Sequence, residues 1–128
     1  MKIINPEDIV TPASAYAQGV LHAGNAERLV ISGQVGLKPD GSLEDGLKAQ
    51  TERAWNNLFG VLKAAGFEKR HLVKTVTYVT APGQIALIRE VRQRMLEGHV
   101  CASTYLEIAG LAIPAFVVEI EGEAVKEG

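Results

Sequence analysis

The sequence has few of the residues that mark several classes of protein. Its single cysteine, Cys101, excludes a disulfide framework within the chain and is typical of a reducing compartment. Lys and Arg number 13 against 15 Asp and Glu, so no cationic surplus exists to neutralise nucleic-acid phosphates. No apolar run approaches the roughly 20 residues that span a bilayer, and Met1–Asp8 lacks the apolar run of a signal peptide. We therefore expect a cytoplasmic protein without nucleic-acid or membrane partners.

Motifs that hold metals or cofactors are also missing. The three histidines, His22, His71 and His99, are scattered, and their spacing with Cys101 fits no zinc site. Neither glycine-rich phosphate-binding pattern, G-x-x-x-x-G-K-[ST] or G-x-G-x-x-G, is present. We therefore expect no metal and no cofactor.

Periodicity and turn residues divide the chain into alternating strands and helices. Strands are predicted at 29–35, 72–80, 103–108 and 116–124, where β-branched and apolar residues alternate with polar ones. Residues 15–22 are predicted to be the hairpin partner of the 29–35 strand, joined around Gly24 and Asn25. Helices are predicted at 43–65 and 84–97, which end at Gly66 and Gly98. The expected buried residues are Leu47, Ala54, Leu58, Val61 and Leu62 on the first helix, and Ile85, Ile88, Val91 and Met95 on the second.

This order of elements predicts an α+β fold. Both helices should pack on one face of a single mixed sheet, and the whole of 1–128 should form one domain.

The second face of that sheet should combine acidic, hydroxyl and apolar side chains. On the last strand Glu119, Glu121 and Glu123 point away from the predicted core. Ser103 and Tyr105 are expected on the same face. We expect another subunit to cover this face, because Tyr78, Tyr105 and Val117 are poorly suited to open water.

Six segments are similar to motifs of the Rid (YjgF-type) enamine/imine deaminases, and the resemblance covers nearly the whole chain. Ala15-Tyr-Ala-Gln-Gly19 resembles the family's G-P-Y-x-Q-G, and Ile31-Ser-Gly-Gln34 resembles I-x-S-G-Q. The first predicted helix, with Gln50 and Leu58 and its end at Ala64-Ala-Gly66, also matches a family motif. So do Val73-Lys-Thr75 and the closing Val118-Glu-Ile-Glu121. The stretch from Cys101 to Ile108 resembles P-A-R-S-x-V-E-V, but Ser103 stands at the arginine and Tyr105 at a residue that is often cysteine.

The resemblance implies a YjgF-like (chorismate mutase-like) fold that assembles into a homotrimer with a central barrel of three sheets. Its ligand sites would lie in clefts between subunits, with Glu119 assisting a water molecule and no cofactor. Tyr16 and Ser32 would be retained as substrate-binding residues beside Ser103 and Tyr105. The family's asparagine on the second helix falls on Arg89, which could turn into the cleft and supply the positive charge that Ser103 lacks.

Each candidate residue also has a purely structural interpretation. Glu119 could be an acid that lines the barrel or pairs subunits. Tyr16 could be an interface aromatic residue, and Ser32 and Ser103 could be ordinary strand hydroxyls. Arg89, Arg92 and Arg94 are most simply a solvated helix face.

The function indicated is hydrolysis of a reactive enamine or imine with release of ammonia. In the family the arginine pairs with the substrate carboxylate through a guanidinium fork. Its replacement by Ser103 predicts that 2-aminoacrylate and small imino acids are poor substrates. The alternative is a non-catalytic trimer that binds a small metabolite or a partner protein. Endoribonuclease activity, attributed to some family members, is disfavoured by the acidic charge balance.

Overall fold

Two helices lie against one face of a four-stranded mixed sheet in the computed structural model, which describes residues 1–8 and 11–127. The strands are β1 (Lys2–Ile4), β2 (Gly19–Leu21), β3 (Glu27–Val35), β4 (Leu72–Val79), β5 (Ala102–Glu107) and β6 (Val118–Lys126). The helices are α1 (Leu47–Ala64) and α2 (Ile85–Met95). No helix in the described ranges is long and apolar enough to cross a membrane.

The strand order in the main sheet is β3-β6-β4-β5. β6 pairs antiparallel with both β3 and β4, while β4 and β5 run parallel. A parallel pair needs a crossover connection, and α2 provides it between β4 and β5. The predicted class, an α+β fold with both helices on one face of a mixed sheet, is confirmed.

The core lies between the helices and the sheet. Trp55 and Leu58 of α1 are fully buried against Val118 and Ile120 of β6. The predicted stripe on α1 is therefore the core-facing side of the helix. On α2 the stripe is shorter than predicted, because Ile85 is 38% exposed at the first turn.

The helix ends show how glycine sets the boundaries. Gly66 and Gly98 have φ of +77° and +85°, the left-handed conformation expected after a helix. α1 begins at Leu47 rather than at the predicted Leu43, because Leu43 forms a β-bridge with Leu37 and Gly46 has φ of +87°.

The predicted hairpin between 15–22 and the 29–35 strand is wrong. β2 pairs instead with β1, as a separate two-stranded sheet. Ala17 bridges Ala102 of β5, at the opposite edge of the main sheet from β3. The segment that contains Tyr16 is consequently held beside β5.

Gly36 and Gly60 make a test of this packing. A Cβ at Gly36 would lie 2.6 Å from the Cβ and 2.7 Å from the Cα of Gln50, so α1 would have to move, whereas a Cβ at Gly60 meets nothing within 4 Å. We expect Gly36→Ala to lower the free energy of unfolding by about 1–3 kcal/mol through overpacking. Gly60→Ala, in the middle of α1, should raise it by about 0.5–1 kcal/mol. Denaturant unfolding measures both, and equal effects would contradict the packing of β3 against α1.

Candidate functional site

The face of the sheet away from the helices carries a row of carboxylates from β6. Glu119, Glu121 and Glu123 alternate with buried residues and point to this open face. Part of the face is a depression of about 150 Å³. Its lining residues are Val30, Lys74, Val76, Tyr78, Glu121, Gly122 and Glu123.

Glu119 lies directly against β3. Its strand neighbours are Val35 on β3 and Tyr78 on β4. A Cβ at Gly33 would lie 2.6 Å from the Glu119 carboxyl carbon and 2.9 Å from Oε2. The register of β3 shifts between Ile31 and Gln34, and this irregularity contains Gly33 and the exposed Ser32. The structure therefore places Glu119 close to the Ser32–Gly33 step.

Two amides from α1 fix the strand segments on either side of Glu119. The Asn57 side chain donates to the Val35 carbonyl oxygen at 3.0 Å. The Gln50 side chain accepts from the Val117 backbone N–H at 3.1 Å. Because Val35 is the strand partner of Glu119, these bonds position the carboxylate from behind the sheet. The resemblance included Gln50 in a helix motif, but sequence reasoning gave neither amide this role.

Glu121, two residues along β6, is already engaged. The Tyr78 hydroxyl donates to it, and that bond raises the pKa of Tyr78. Tyr78 therefore stays a neutral phenol at physiological pH. Glu121 thus already accepts a hydrogen bond from Tyr78, whereas Glu119 lies against Gly33.

Ser103 and Tyr105 lie on the helix-facing side of the sheet, so their predicted placement on the open face is wrong. In the parallel β4–β5 pair, Ser103 is opposite Thr75 and Tyr105 is opposite Thr77. Both threonines are buried beneath the helices. Strand alternation predicts two sets of side chains, but on a mixed edge strand it does not indicate which set is covered. Leu106, from the other set, is 44% exposed.

The contacts of Tyr105 hold parts of the fold together. Its ring packs against the core, and its hydroxyl donates to Glu107 at 2.7 Å. Glu107 also accepts from the Gly83 backbone N–H at 2.8 Å. Burial and the bond to Glu107 raise the pKa of Tyr105 to about 12. Tyr105 thus helps to join β5 to the loop before α2.

Arg92 is the residue that sequence reasoning missed. It is only 6% exposed. Its Nη1 donates to Ser103 Oγ at 3.2 Å and its Nη2 to Ser14 Oγ at 3.1 Å. Burial lowers its pKa, and the nearby charge of Arg89 acts in the same direction. The signal was present in the sequence, because Arg92 follows the buried Ile88 by four residues and so shares its helix face.

The other two arginines of α2 differ from Arg92. Arg94 is exposed and pairs with Glu90 and Glu52, at 3.2 and 2.7 Å, so the solvated-face interpretation holds there. Arg89 is partly buried one turn before Arg92. The guanidinium that reaches Ser103 is therefore that of Arg92 and not of Arg89.

The predicted site residues form two groups. Glu119 and Ser32 lie on or beside the open face, while Ser103 and its neighbour Arg92 lie on the helix side, with Tyr16 in the segment beside β5. The sheet separates the two groups within one copy of the chain.

Cysteine and metal chemistry find no support at either group. Cys101 is buried, and burial raises the pKa of its thiol to about 11, so a thiolate is disfavoured. Within residues 1–8 and 11–127, no three His, Cys, Asp or Glu side chains are clustered in a way that could hold a metal ion.

Comparison with known proteins matches this architecture to one family. The family model described as Endoribonuclease L-PSP matches residues 7–126. A 2-iminobutanoate/2-iminopropanoate deaminase of Rattus norvegicus is 27% identical over 128 residues, which cover 98% of this chain and 90% of that protein. Protein DfrA of Myxococcus xanthus is 30% identical over 127 residues, which cover 97% of this chain and 95% of that protein.

Two solved structures extend the match to the fold. The Rid-family protein YyfB of Yersinia pestis has a TM-score of 0.87 at 30% identity, with 96% of each chain covered. RidA of an Antarctic Psychrobacter species has a TM-score of 0.73 at 30% identity, with 97% of this chain and 98% of that chain covered. Sequence and fold together show that this chain belongs to the Endoribonuclease L-PSP family, the family of the Rid and YjgF proteins.

Proposed function

We propose that the chain hydrolyses an enamine or imine to a carbonyl compound and ammonia, in a cleft between subunits. The observation that carries the proposal is the Glu119 carboxylate on the open face, against Gly33 and next to Ser32. The relatives named as 2-iminobutanoate/2-iminopropanoate deaminases support the reaction class.

A single carboxylate is sufficient for this chemistry. An enamine first tautomerises to the imine. The oxygen of a water molecule then bonds to the C=N carbon, Glu119 accepts the water proton, and the nitrogen takes that proton as it receives the π electrons. The resulting carbinolamine loses its hydroxyl proton through Glu119 to the nitrogen. Ammonia leaves with the C–N electron pair as the carbonyl forms, so the reaction consumes one water and needs no oxidant or cofactor.

A homotrimer would complete the site and cover the open face. Val30 is 63% exposed there, beside the partly exposed Val76 and Tyr78. An antiparallel sheet face with this much apolar surface favours coverage by another subunit. Such coverage would bring the Arg92 group of one copy to the Glu119 group of another. Ser32 would then orient the substrate near Glu119, and Tyr16 would form the wall on the Arg92 side.

Endoribonuclease activity, which the family description names, fits this surface poorly. Three carboxylates from β6 occupy the open face, and carboxylates repel the phosphates of RNA. We therefore place RNA cleavage behind imine hydrolysis.

Replacing Glu119 tests the reaction directly. Ammonia release should be followed from 2-aminoacrylate and from imines of larger 2-oxo acids, all generated in situ. Glu119→Gln keeps the shape of the side chain but cannot accept the proton, and we expect kcat to fall about 100-fold or more. Glu123→Gln, on the same face of β6 and paired with Arg28, is the matched control and should keep wild-type activity.

The outcomes separate the candidate functions. Release no faster than buffer across the whole panel would contradict the proposal and favour a metabolite-binding or partner-binding protein. Release that survives Glu119→Gln would retain the deaminase but exclude Glu119 as the group that moves the proton.

Gly33→Ala provides a second test through the position of the same carboxylate. The added methyl group would lie within 2.9 Å of the Glu119 side chain and would push it off the face. A displacement of about 1 Å can cost on the order of 100-fold in rate, so activity should fall at least tenfold with little change in the melting temperature. Gly24→Ala, where a Cβ meets nothing within 4 Å, is the control. Unchanged activity in Gly33→Ala would show that the close contact is irrelevant to catalysis.

A further inference from the structure

Arg92 is a buried cation without an anion. Among residues 1–8 and 11–127, the ion pairs of the arginines involve Arg28, Arg53, Arg70 and Arg94, and no carboxylate pairs with Arg92. Its hydrogen-bond acceptors there are the neutral hydroxyls of Ser14 and Ser103. Arg89, also on α2, is another cation, and its charge lowers the pKa of Arg92.

This arrangement is unfavourable for the chain alone. Two neutral hydroxyls replace only part of the hydration that a guanidinium loses on burial, and no opposite charge offsets the rest. A purely structural role, in which hydrogen bonds tie α2 to Ser14 and Ser103, would not require a charge. A neutral amide side chain could donate to the same oxygens. The positive charge is therefore better explained by something that the site receives.

The geometry of the donors indicates what that is. The two bonds come from Nη1 and Nη2, the terminal nitrogens of the guanidinium. These nitrogens together form the end-on fork that matches the two oxygens of a carboxylate. Both acceptor serines are partly exposed, as is Tyr16, two residues after Ser14. The two serines that accept from the forked end of Arg92 therefore each have part of their surface open to solvent.

We infer that Arg92 binds the carboxylate of the substrate, with Nη1 and Nη2 as a two-pronged donor and the hydroxyls of Ser14 and Ser103 at its sides. In combination with the proposed function, on which the identity of the substrate rests, this inference names the substrate class as 2-imino acids. The serine at position 103 then leaves room for a guanidinium that comes from α2. The expectation that small imino acids are poor substrates is thereby reversed.

Binding of a non-reacting carboxylate tests the inference without any turnover. The probe is 2-oxobutanoate, the carbonyl product expected from 2-iminobutanoate, and its neutral partner is 2-oxobutanamide. Both are titrated into the wild-type oligomer by calorimetry. We expect 2-oxobutanoate to bind at least tenfold more tightly than the amide.

Two variants assign that preference to one side chain. Arg92→Met should weaken binding of 2-oxobutanoate by about 10- to 100-fold, as expected for loss of charge-assisted hydrogen bonds, and should leave the amide unaffected. Arg92→Lys should lie between, because an ammonium keeps the charge but lacks the fork. Arg94→Met, on the same helix but exposed and paired with glutamates, is the matched control and should bind as wild type does.

Thermal stability distinguishes binding from a structural role. Burial of an unpaired charge costs desolvation free energy that an apolar side chain of similar volume avoids, so Arg92→Met should melt at or above the wild-type temperature. A large loss of stability in Arg92→Met, together with unchanged binding in Arg92→Lys, would overturn the inference. So would equal affinity for the two probes, or no binding of 2-oxobutanoate by wild type. If binding depends on Arg92 while no imine is hydrolysed, the proposed function fails and the anion site stands.

Discussion

The alternation of side chains along β6 is the constraint on which both the core and the candidate site depend. β6 is an inner strand that pairs with β3 and β4, so its register is fixed on both sides. Val118 and Ile120 enter the core under α1, and the period of two then forces Glu119 onto the opposite face. A slip of one residue would bury the carboxylate and expose the core, so a single register serves stability and function together.

The same sheet divides the site. Glu119 stands on one face, and Arg92 reaches Ser103 on the other. The proposed chemistry therefore takes these two side chains from different copies of the chain. The proposed ligand would compensate the charge of Arg92, and the proposed second subunit would cover the apolar open face around Val30.

Most elements could be predicted from the sequence because they follow local patterns. Helical periodicity identified α1 and α2, and Gly66 and Gly98 marked their ends. The errors arose where a non-local contact decides the outcome. The 15–22 segment lies beside β5 rather than β3 because pairing partners are selected by the whole fold. The face of Ser103 depends on which side of an edge strand α2 covers. The spacing of four residues from Ile88 placed Arg92 on the buried face of α2. Sequence alone nevertheless favours an exposed position for Arg92, because arginine is rarely buried.

Subunit complementation tests the central claim, that one site takes Glu119 from one copy and Arg92 from another. Glu119→Gln and Arg92→Met chains would be co-expressed with different affinity tags, and the mixed oligomers isolated through both tags. Each variant alone should be nearly inactive on a 2-imino acid. In the proposed homotrimer, every oligomer that contains both variants has one interface in three that combines an intact Arg92 with an intact Glu119, so about a third of wild-type activity should return. Mixed oligomers that remain as inactive as the separate variants would contradict the account.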